Sequence, residues 1–168
     1  VPYVWGGASG SGVDCSGLVL LAHKAIGVNL AHYSGSQGSS IIKLFDMTCA
    51  TTGVNETTAR KLGLNVDTVI LSPMSHAGYY PGGKLMTMKV VFEKETYRLL
   101  GAQIVGYDGV DKRIDVLATA IRAKMKATEL KDLDLAYAPP YSSAKDPVNM
   151  AGFMIDNIES GILKQWHL

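Results

Sequence analysis

Ser75-His76-Ala77-Gly78-Tyr79-Tyr80-Pro81-Gly82-Gly83 is the stretch that decides the fold. An apolar run, Val66–Leu71, precedes it and reads as a buried strand. After it, Met86, Met88, Val90 and Phe92 alternate with Thr87, Lys89, Val91 and Glu93, the period of a strand with one apolar face. A plain turn between strands needs only glycine and a polar residue. Here a histidine, two tyrosines and a proline fill the connection, so the loop is predicted to carry more than a change of direction.

Working outward, Lys94, Glu95 and Thr96 turn the chain, and Leu100, Ala102 and Ile104 alternate on a return strand, giving a hairpin over 86–105. Residues 40–48 are apolar and β-branched and predict one strand. Asn55 caps a short helix over 56–62, with Gly63 just past its end. Val110, Ile114, Leu117, Ile121 and Met125 form a helical stripe, with Asp108 as the expected cap and Asp111 three residues on. A short helical turn follows over 128–133. Pro139-Pro140 keeps 136–145 extended or turned, and Asp146-Pro147 opens a last helix, ended by Gly161. These elements predict an α+β fold, a largely antiparallel sheet with helices packed on one side. A glycine-rich loop over 1–13 and one helix precede it. In that helix Leu18, Leu21, Ala22 and Ala25 share a face, Asp14 is the cap and Gly27 the stop. Cys15 falls in its first turn, where backbone N–H groups favour a thiolate.

Composition narrows the function. At 168 residues, 47% hydrophobic, 18% charged and a net charge of +1, the chain is globular and has no basic block for nucleic acid or an anionic membrane. Two cysteines and four histidines, all scattered, make neither a disulfide framework nor a zinc pattern. Gly101 and Gly106 flank a strand segment and open no helix, so the dinucleotide fingerprint fails. No leader precedes Val1, from which the chain is expected to be a fragment or a processed product.

Two resemblances divide the chain. Pro2-Tyr3-Val4-Trp5-Gly6-Gly7, Asp14-Cys15-Ser16-Gly17-Leu18-Val19 and His32-Tyr33-Ser34-Gly35-Ser36-Gln37 resemble the nucleophile half of NlpC-type cysteine peptidases, so residues 1–37 are expected as an appended fragment of that kind. Residues 38–168 resemble the dimerisation domain of flavin disulfide reductases of the coenzyme A-disulfide reductase and NADH oxidase type. The blocks that carry this are Phe45-Asp46-Met47-Thr48, His76 to Gly82, Gly101-Ala102-Gln103-Ile104-Val105-Gly106, Asp111-Lys112-Arg113-Ile114-Asp115-Val116, and the run from Ala136-Tyr137-Ala138-Pro139-Pro140 to Asp146-Pro147.

The second resemblance implies a homodimer in which Tyr79 and Tyr137 reach the partner subunit's active site. It also implies FAD and NAD(P)H held by other domains of a parent enzyme, no cofactor on this chain, no activity in isolation and a cytoplasmic location. The first implies Cys15 as nucleophile and His76 as base on peptidoglycan stem peptides. Against it, Met88 stands where that family orients its histidine, and a thioether cannot hold an imidazole tautomer. Lys112, Arg113 and Asp115 read as a solvated helix face or intersubunit ion pairs. The purified chain is expected to carry no flavin; visible flavin absorbance at stoichiometric level would overturn this.

Overall fold

The computed structural model describes residues 8–9, 12–13, 18, 21–22, 24–27 and 35–164. Contacts divide the chain into two units, Val1–Gly38 and Ser39–Leu168. In the first, strand β1 (Ala8–Ser9) pairs antiparallel with β2 (Gly12–Val13) inside the stretch expected to be loop; a two-residue ladder has no periodicity for a pattern to reveal. Leu18, Leu21, Ala22, Lys24 and Ala25 are helical, and Gly27 turns out of the helix at φ +76°. The expected cap Asp14, Cys15 and most of the peptidase-like motif lie outside the described residues.

The second unit holds β3 (Ser40–Leu44), β4 (Met47–Gly53), α1 (Glu56–Lys61), β5 (Val66–Leu71), β6 (Met86–Glu93), β7 (Leu99–Gly106), α2 (Val110–Arg122), a 3₁₀ segment (Ala127–Asp132) and α3 (Pro147–Glu159). Five strands form one antiparallel sheet in the order β3-β4-β7-β6-β5. The α+β prediction holds. Met86, Met88, Val90 and Phe92 of β6 pack with Ala102 and Ile104 of β7 against Val110, Ile114 and Leu117 of α2 and Val148, Ala151 and Ile155 of α3. Each large side chain buried there contributes about 1.5–3 kcal/mol. Val91, of opposite parity on β6, joins Ala59 of α1 and Val66 in a second, smaller cluster.

Three details depart from the pattern. Residues 40–48 are not one strand: Leu44 pairs with Met47 around a two-residue loop, Phe45-Asp46. Phe45 sits there at φ +56° and 98% exposed, a backbone position that usually announces itself with Gly or Asn. On β7 a bulge opposite Val91 and Phe92 makes Leu100 the extra residue, so Leu99 rather than Leu100 joins Ala102 and Ile104 in the main core. Finally, Gly109, in the left-handed region at φ +68°, and not Asp108, is the N-cap of α2. A side chain at position 109 would lie 2.0 Å from a guanidinium nitrogen of Arg113, so close approach and positive φ both demand glycine.

Helix α3 starts as expected: the Asp146 carboxylate accepts from the Val148 amide, Pro147 takes the first turn, and Asn149 returns a bond to the Asp146 amide. Gly152 lets this helix approach the 3₁₀ segment; a Cβ there would lie 2.3 Å from the Lys131 amide nitrogen. Replacing an interior helical glycine by alanine normally gains about 1 kcal/mol of propensity. Here overpacking, about 1–3 kcal/mol, opposes it. Gly152→Ala is expected to lower stability by urea denaturation; a stabilised variant would show that the two segments separate without cost.

Candidate functional site

The site is built from two loops. The first joins β5 to β6 and contains the opening stretch. Its base is closed by the Ser75 amide donating to Lys84 O at 2.7 Å and the Lys84 amide donating to Ser75 Oγ at 3.1 Å. Within it the Tyr80 amide donates to Ala77 O at 2.9 Å, a turn that lifts Tyr79 to 76% exposure. The second loop leads into α3. Its prolines sit in a turn closed by the Tyr141 and Ser142 amides, both donating to Ala138 O. Tyr137 stands just before that turn, 48% exposed.

The two phenols, 58 residues apart in sequence, meet at 3.0 Å oxygen to oxygen. Tyr79 and Tyr137, paired on the strength of a resemblance alone, are therefore neighbours on one surface. The hydrogen bond shared with Tyr79, with some desolvation and the charge Tyr79 itself can carry, raises the Tyr137 phenol above the usual tyrosine range. Tyr137 is thus protonated at neutral pH, and either phenol can be the donor within the pair.

Arg113 holds the loops together. It is 1% exposed, against the expectation of a solvated face. Its Nη2 donates to Ser75 O at 2.8 Å in the first loop and to Tyr141 O and Ser142 Oγ, both at 3.4 Å, in the second. Nη2 and Nε also reach the Asp146 carboxylate, at 3.0 and 3.2 Å, and Nη1 donates to Gly109 O at 3.0 Å. Ser142 Oγ donates to Asp146 at 2.7 Å, and the Ala77 amide donates to Ser142 O at 3.0 Å. Lys112 adds a bond to Ala136 O at 3.3 Å, beside Tyr137. Sequence reasoning missed Arg113 and Ser142. The available signal was position: Arg113 lies three residues after Val110 and four before Leu117, inside the apolar stripe of α2.

His76 is 5% exposed; its ring lies edge-on to Tyr80 at 5.6 Å. Its Nδ1 faces Ala77 O at 3.1 Å, and since a carbonyl only accepts, that nitrogen carries the proton. Met88 is fully buried in the main core. Cys15, the other half of the peptidase reading, lies outside the described residues.

Burial opposes ionisation of Asp146, but the Val148 amide, Arg113 and Ser142 together hold its carboxyl below the usual carboxylate range. The model for the dimerisation domain of pyridine nucleotide-disulphide oxidoreductases matches residues 39–148. A coenzyme A disulfide reductase of Staphylococcus epidermidis is 36% identical over 153 residues, 91% of this chain and 33% of the relative. The structure of reduced Bacillus anthracis CoADR-RHD superposes with a TM-score of 0.82 at 45% identity, covering 90% of this chain and 27% of that one. An NAD-dependent persulfide reductase from A. fulgidus superposes with a TM-score of 0.78 at 44% identity, over 83% of this chain and 26% of that one. The chain thus spans about a third of the length of the curated relatives it matches. Residues 39–168 are fewer than the 153 matched, so the similarity reaches into the first unit as well.

A carboxyl whose folded pKa is depressed contributes stability above its unfolded pKa, about 4, and loses it as pH falls through the folded value. Asp146→Ala removes one partner of a buried ion pair and a helix cap, and is expected to cost about 3–5 kcal/mol at pH 7 by urea denaturation. The gap from the wild type should narrow below about pH 4. A gap that does not change with pH would show that the carboxylate charge contributes nothing.

Proposed function

We propose a function from one premise: the chain belongs to the pyridine nucleotide-disulphide oxidoreductase dimerisation-domain family. In this reading it pairs two subunits of a flavin-dependent coenzyme A-disulfide reductase or NADH oxidase, completes each subunit's active site from across the dimer, and is not catalytic alone. The observation that carries it is the exposed phenol pair, Tyr79 and Tyr137, on two loops that are already formed.

The chemistry follows from the pair. Within it one hydroxyl donates to the other, which leaves one O–H directed outward as a donor. An outward phenol hydrogen-bonds a disulfide substrate or steadies the thiolate of the partner's active site, where bonds to an ionised acceptor are the stronger kind. The fixed backbone lowers the entropy lost on docking.

FAD and NAD(P)H belong, in this reading, to other domains of the parent. The glycine turn at 106–109 opens a helix, but it does not fit a dinucleotide phosphate. Asp108 and Asp111 flank it with negative charge, and the Arg113 guanidinium fills the space beside Gly109 and bonds its carbonyl. The partners are a second copy of the chain and those cofactor domains. A net charge of +1 supports no nucleic-acid role, and no helix among the described residues is long and apolar enough to cross a membrane. The location that goes with this family reading is the cytoplasm.

Obligate homodimer interfaces usually bury about 2,000 Å² or more. The aromatic surface of Tyr79, Tyr80, Tyr137 and Tyr141 supplies rigid contact area for one. Sedimentation equilibrium should show the wild type self-associating and Tyr137→Asp monomeric. A wild type that stays monomeric at high micromolar concentration, or a variant that pairs equally well, would defeat the proposal.

A further inference from the structure

We propose that Arg113 is a positioning residue for the phenol pair: its buried guanidinium sets the separation of Tyr79 and Tyr137 without touching either. The inference rests on the reading of that pair as the group presented to a partner active site.

Neither tyrosine ring is held by burial. What is fixed is the backbone beneath each. Ser75 O, four residues before Tyr79, and Tyr141 O, four residues after Tyr137, accept from the same nitrogen of Arg113. The Ala77 amide, bonded to Ser142 O, is a second tie between the loops. Ala77 O closes the turn that carries Tyr79, and Ala138 O closes the turn that follows Tyr137. Each phenol therefore stands one turn away from a carbonyl or amide whose place Arg113 and its partner Ser142 dictate.

This arrangement needs a planar fork. A guanidinium presents five N–H donors in fixed directions and can bond a carboxylate on one edge while the others reach carbonyls. A lysine ammonium is a single point with three donors and cannot span the Asp146 carboxylate, Gly109 O and two loops at once. Arg113→Lys keeps the charge that Asp146 requires and removes the tether. The hydrogen bond that raises the Tyr137 phenol gives the pair a signature in solution.

The test uses the full 168-residue chain with carbon-13 at the tyrosine ring carbon that bears the hydroxyl. In the wild type a nuclear Overhauser contact between the two rings is expected, with Tyr137 titrating above an ordinary tyrosine. In Arg113→Lys the backbone amide spectrum should persist while the inter-ring contact disappears and Tyr137 titrates lower, as it should in Tyr79→Phe. An unchanged contact and titration in a folded Arg113→Lys protein overturns the proposal, as does a wild type without the contact. Should Arg113→Lys fail to fold, Arg113→Met/Asp146→Asn removes both buried charges and keeps a capping oxygen at 146. Loss of the contact in that folded double variant supports the proposal, and its retention overturns it. If neither variant folds, Arg113 serves the whole domain and the specific positioning role is overturned. The outcome is separate from the dimer reading, since the ring contact is measured within one chain whatever its association state.

Discussion

The Arg113 guanidinium and the Asp146 carboxylate meet at 3.0 Å in the interior, both almost wholly removed from water. Desolvating two charges costs several kcal/mol per ion, and their attraction offsets this only if the remaining donors and acceptors are satisfied. Here they are. Arg113 also finds Gly109 O, Ser75 O, Tyr141 O and Ser142 Oγ, and Asp146 also accepts from Ser142 and the Val148 amide. The same pair thus joins the start of α2, the start of α3 and both tyrosine loops. A hydrophobic replacement of equal volume could hold the two helices together, but it could not locate three backbone oxygens.

The sheet and its two long helices were legible because their signals are periodic. Alternation over Met86 to Phe92 and the stripe from Val110 to Ile121 each repeat several times, and a repeated signal survives local exceptions. The cap of α3 was legible because Asp146-Pro147 is a chemical statement about one position. The rest turned on single events without a period. Phe45 adopts a turn that favours glycine, one inserted residue at Leu100 flips the parity of β7, and Gly109 takes the cap position in place of Asp108 at a positive φ with the Arg113 guanidinium against it. Each is a single backbone event that no repeating pattern announces.

The site divides in the same way. Tyr79 and Tyr137 came from a family resemblance; no spacing argument brings together two tyrosines 58 residues apart. Arg113 was present in the pattern but read by its charge, as a surface residue, when its place on the apolar stripe was the better guide. His76 keeps its fixed tautomer and its burial inside the first loop, beside Tyr80. The similarity to the staphylococcal coenzyme A disulfide reductase does not stop at the boundary between the two units. The peptidase-like motif of the first unit therefore overlaps a stretch that also resembles the reductase.

Strand β3 lies at one edge of the sheet, all five of its residues exposed, with Ile41, Ile42 and Leu44 among them. Among the described residues one side of its backbone has no neighbouring strand, so its amides and carbonyls form a template for a strand from another chain. Lys43 is the lone charge within the strand to discourage such an addition. Concentrated on its own, this polypeptide carries a built-in aggregation hazard at Ser40–Leu44, and short polar substitutions there are a route to better-behaved preparations that leaves the tyrosine loops untouched.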